Sequence, residues 1–145
     1  MAAKSEYYET GLLLLIFNAV DFATFADNTS SGPLTDLWVS LCTASPAAGG
    51  DQETNEAAYT SYARVSVARD ATGWTVSGAT VNPLVPITFP TATGAGDDET
   101  ETHWAVGTDA SGPGNLLYFG PITPSIPVII GVTPELTVAT NVTED

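Results

Sequence analysis

The chain has 145 residues, of which 17 are acidic and only three basic, giving a formal net charge of −14. That is one domain's worth of chain, and 43% hydrophobic residues against 14% charged supply a packed core and argue against disorder. With Lys4, Arg64 and Arg69 as its cations, the chain cannot neutralise a run of phosphates, so neither nucleic acid nor an anionic membrane is expected as a partner.

The segment from Ser5 to about Asn18 predicts a helix, with Ser5 as N-cap and Glu6 and Glu9 favourable in the first turn. Its apolar run Leu12 to Phe17 is far shorter than the roughly 20 residues that cross a bilayer. Glu6 and Glu9 stand where a signal peptide would carry Lys or Arg, so no signal is expected. Tyr8, Leu12, Leu15 and Ile16 share one face of the helix, but Leu13, Leu14 and Phe17 make its other sides apolar too. A helix apolar on most sides is buried. It either packs on its own sheet or serves as an arm that docks on another subunit, and Phe22 and Phe25 continue its character.

Beyond the turn cluster Asn28 to Pro33 the chain is short strands and punctuation. Apolar and polar residues alternate from Asp36 to Cys42 and from Tyr62 to Ala68, the pattern of half-buried strands. Further strands are expected at Gly73 to Ser77, Val85 to Phe89, His103 to Gly107, Leu116 to Gly120, Ile126 to Ile130 and Leu136 to Val142. Pro86 and Pro127 have no N–H for a central ladder, so their strands lie at an edge, carry a bulge or begin at the proline. The expected fold is mainly β, an antiparallel sandwich of jelly-roll type or a barrel, with an N-terminal helix or arm: residues 1–33 form the arm and 34–145 the β domain.

Few residues carry the marks of chemistry. His103, the one histidine, has no second histidine to complete a metal site, and as a solitary strand imidazole it reads as structural or surface. Cys42, the one cysteine, excludes an intrachain disulfide and sits in a strand with nothing nearby to activate it. Asp97, Asp98, Glu99 and Glu101 follow Gly94-Ala-Gly96 and read as a solvated loop, with a Ca²⁺ site as the sharper alternative. Trp38, Trp74 and Trp104, with Tyr59, Tyr62 and Tyr118, lie in or beside strands; they are expected to fill the core, the alternative being a platform for carbohydrate or a partner.

The segments Leu37-Trp-Val-Ser-Leu-Cys-Thr-Ala-Ser-Pro46, Tyr62-Ala-Arg-Val65, Gly73-Trp-Thr-Val76, Ile87-Thr-Phe-Pro-Thr-Ala-Thr-Gly94, Thr102-His-Trp-Ala-Val-Gly-Thr108 and Gly114-Asn-Leu-Leu-Tyr-Phe-Gly120 carry a resemblance as an ordered set. They are similar in order and spacing to a family of small virion structural proteins of tailed bacteriophages, often labelled tail-fibre proteins. The resemblance implies a protein located in the virion, with no enzymatic activity and no cofactor. A long fibre would show heptads, repeats or a shaft, and this chain has none. The expected role is therefore a capsid decoration or cement protein, a homo-oligomer and by preference a trimer, binding between subunits of the major capsid protein. Leu12, Leu13, Leu15, Ile16, Phe17, Phe22 and Phe25 would be its docking residues. The alternative is a tail-associated or tail-fibre protein for host attachment, and a carboxylate-based hydrolase stands a distant third.

Overall fold

The computed structural model describes residues 5–21 and 34–144, the side chains of residues 6 and 8 excepted. Phe22 and Phe25 lie outside the described residues. Helix α1 (Glu6–Asn18) precedes the strands β1 (Asp36–Cys42), β2 (Val65–Ala68), β3 (Trp74–Ser77), β4 (Thr80–Pro83), β5 (Ile87–Thr88), β6 (Glu99–Gly107), β7 (Leu116–Val128), β8 (Glu135–Leu136) and β9 (Val142–Thr143). The fold is mainly β, as expected. Its sheets run β2-β1-β6-β7, β3-β4-β9 and β5-β8, and none of them closes into a barrel. The pairings of β1 with β6, β6 with β7, β3 with β4, β4 with β9 and β5 with β8 are antiparallel. No described helix is long and apolar enough to cross a membrane.

The chain forms two compact units, each discontinuous in sequence. One comprises Met1–Asp36, Val67–Pro86 and Thr137–Asp145; the other comprises Leu37–Ser66 and Ile87–Leu136.

In the first unit α1 packs on β3 and β4. The helix begins as its sequence directs, with the Ser5 carbonyl accepting the Glu9 N–H at 3.0 Å. Among its described side chains the buried ones are Leu13 and Phe17, four apart and therefore stacked on one face. The Phe17 ring meets Trp74 edge to face, centroids 4.7 Å apart at 68°. Thr10 Oγ1 donates to the Gly78 carbonyl in the β3–β4 turn at 2.8 Å, so the helix is tied to the hairpin at two levels. That turn, Gly78-Ala79 between paired Ser77 and Thr80, needs a positive φ, which Gly78 supplies at 59°. At its C-terminal end α1 has no basic residue of its own. Arg69 takes that place from another part of the chain, donating from Nε to the Ile16 carbonyl at 2.5 Å and from Nη2 to the Leu15 carbonyl. A cation at the end of the helix satisfies carbonyls that have no partner within it and opposes the negative end of its dipole.

In the second unit β1 and β6 supply much of the core through Leu37, Val39, Leu41, Trp104, Ala105 and Val106, joined by Tyr59, Phe89, Val128 and Leu136 among others. Trp104 pairs with Gly120 across the sheet, and a Cβ at Gly120 would come within 3.1 Å of the indole ring, so the glycine leaves the tryptophan its seat. Among the described residues β7 is an edge strand of its sheet, opposite β2, which is where its three prolines, Pro121, Pro124 and Pro127, are tolerated. Residues 116–128 form one strand where the sequence reading expected two, and the ladder is irregular between Glu101 and His103. Four residues of β7, 122–125, there oppose Thr102 alone.

A candidate assembly surface

The residues weighed as candidates for chemistry serve the fold. Cys42 is buried, and burial, followed by the charges of Glu56 and Glu101, pushes its thiol up to about 12, where it is no nucleophile. His103 is half-buried, its Nδ1 2.8 Å from Thr102 Oγ1, and it faces away from the buried Trp104 beside it. Trp74 and Trp104 lie in the core as expected, and Trp38 is half-buried. Tyr59 is buried with its hydroxyl donating to the Pro90 carbonyl at 2.8 Å, its ring edge-on to Tyr62. Among the described residues no group of three His, Cys, Asp or Glu side chains is placed to hold a metal ion.

The acidic run is not the solvated loop expected of it, because Glu99 and Glu101 belong to β6. Two of its carboxylates, those of Asp97 and Glu99, are committed to backbone donors. Asp97 accepts the N–H groups of Thr60 and Gly94 at 2.8 and 2.9 Å, and Glu99 accepts those of Ala58 and Tyr59 at 3.1 and 2.8 Å. A carboxylate with two peptide N–H partners needs no cation to offset its charge, which explains how Glu99 can enter a strand.

A second network escaped the sequence reading. Arg64 grips Glu56 through Nε–Oε1 and Nη2–Oε2, both 2.7 Å, and donates to the carbonyls of Asp109 and Gly112, both at 2.8 Å. Buried Gln52 completes it, its Oε1 accepting the Asp109 N–H at 3.0 Å while its own N–H donates to the Pro113 carbonyl at 2.8 Å. A Cβ on Gly107 would stand 2.1 Å from the Gln52 side chain, so only glycine leaves room for that amide. No local pattern announces this cluster, whose partners are drawn from positions 52 to 114.

The structure divides the expected docking residues. Leu13 and Phe17 are fully buried, and Leu12, Leu15 and Ile16 are half-buried. The exposed apolar surface of the second unit lies elsewhere, at Leu117, Phe119, Ile129 and Ile130, the first two on one side of β7. Alternate residues of β7 are exposed from Leu117 to Thr123, and the intervening ones, Leu116, Tyr118 and Ile122 among them, are only half-buried. The strand therefore offers apolar surface on both faces. Between Asp109 and Glu135 the sequence has no charged residue, a break in the acidic pattern that was legible from the outset.

No curated protein matches the chain. The model of one family, described as podophage GP4 fiber I protein gp80, matches residues 3–142. With nearly its whole length matched, through the strands and glycine-bearing turns that build both units, this chain belongs to that family of phage virion structural proteins.

Proposed function

We propose that the chain is a structural subunit of a phage tail fibre or its base, and that copies assemble side by side through β7. The observation that carries this reading is the coincidence on one element of three properties: a sheet edge, exposed apolar side chains and freedom from charge. Two copies of a chain at −14 repel each other wherever both present carboxylates. A long charge-free edge strand with exposed apolar side chains is a surface on which a second copy rests without that penalty, and edge strands pair readily. The family's description as a fiber protein supports the tail over the head. The capsid-decoration reading relied on α1 as a free arm, and two of its residues, Leu13 and Phe17, are spent in the core.

A cryo-EM map of the virion tests the proposal. Copies should lie on the tail appendages, each with β7 against a neighbouring copy. Copies spread over the head lattice, or copies touching one another through other surfaces, would overturn it.

A further inference from the structure

Glu101 is fully buried, and neither of its carboxyl oxygens has a hydrogen-bond partner. Its strand neighbour two residues away, Glu99, holds the Ala58 and Tyr59 N–H groups with its carboxylate. The titratable side chains whose charge Glu101 feels are Glu99 on β6, Tyr59 on the 57–60 segment and Cys42 on β1, none of them a cation. Its partner residue on β7 is Ile126. An ionised carboxylate buried there would have neither donor nor counter-charge, an arrangement that folding does not sustain when a proton can remove it.

We propose that Glu99 and Glu101 form a one-proton latch, in which Glu101 stays protonated at neutral pH and Glu99 alone is ionised and clamps the 57–60 segment to the start of β6. Loss of the proton sets a second, buried carboxylate beside that of half-buried Glu99 and opens that clamp. Burial first, and then the adjacent Glu99, raise Glu101 from 4.5 to about 8. The sign follows from linkage. The folded chain keeps a proton that the unfolded chain releases above about 4.5, so the contribution of Glu101 to stability is greatest below that value, declines as pH rises, and levels off above about 8.

The test is denaturation of the full chain between pH 5 and pH 9, with hydrogen exchange read at the Ala58 and Tyr59 amides. One retained proton makes the wild-type folding equilibrium fall about tenfold per pH unit across the middle of that window. Glu101→Gln keeps the shape without the titration and should flatten the profile, while His103→Gln, the companion that removes the imidazole, should leave the slope in place. A Glu101→Gln protein that retains the wild-type slope overturns the latch. Should that variant fail to fold, ¹³C-carboxyl NMR of the wild type decides: one glutamate must titrate well above the ordinary range, and its absence overturns the proposal.

Discussion

The two units are held together by different physics. In the first, a helix apolar on nearly every side lies on a hairpin, and the ring of Phe17 against Trp74 sits at the join. In the second, the segments 52–64 and 94–114 are fastened by carboxylates, amides and one guanidinium acting on backbone groups far away in sequence. A chain with 17 acids and three bases cannot balance its charge with ion pairs. Among the described residues the carboxylates of Asp51, Asp70, Asp97 and Glu99 accept peptide N–H groups instead, and Asp97 and Glu99 capture the segment 58–60 in that way. Acidic composition is thus a construction material here as well as a surface property.

The sharpest way to break this contrast is to empty the apolar join. Phe17→Ala leaves a cavity under Trp74 and should cost about 4 kcal/mol, with hydrogen-exchange protection lost first in α1 and β3. The complementary change, Glu56→Ala, strands Arg64, whose side chain is only 2% exposed, beside the Asp109 and Gly112 carbonyls. Removing one member of such a pair should cost about 3 kcal/mol, read as a lower denaturation midpoint with protection lost in 52–64 and 109–114. The smallest effect on stability is expected for Leu117→Asp with Phe119→Asp, because both side chains are exposed. Those two changes should instead abolish self-association in sedimentation experiments. The wild type should associate more strongly as salt screens its negative charge, and a wild type that stays monomeric at every salt and protein concentration would remove β7 as the assembly surface.

Much of the β architecture was legible because alternation is a strong signal when one face of a strand is buried. β1 and β3 fall within a residue of where their patterns place them. The helix was legible as a helix, but its buried face was not: with Leu12 to Phe17 all apolar, periodicity pointed to Leu12 and Leu15, and packing chose Leu13 and Phe17. β4 was missed although Gly78 marks its turn, since Thr80–Pro83 carries only one large apolar residue. β7 was split at its prolines, which break a central strand and not an edge. Glu99 and Glu101 were read as solvated because charge usually is, and nothing in the sequence says that Glu101 will be buried or that N–H groups some 40 positions earlier will meet Glu99. The surface that now carries the functional proposal was visible in the sequence as an absence of charge, and only the sheet order turned that absence into an edge.

The placement of the arginines has a further consequence. A protease that cuts after Lys or Arg has three sites in this chain, at Lys4, Arg64 and Arg69. The Arg64 side chain is sealed in its ion pair, and the Arg69 side chain is occupied at the end of α1 by the carbonyls of Leu15 and Ile16. Neither guanidinium can enter a protease specificity pocket until its unit opens. Residues 5–145 therefore resist trypsin-like digestion as long as both units stay folded, a useful durability for a particle that must persist among the proteases released when bacterial cells burst.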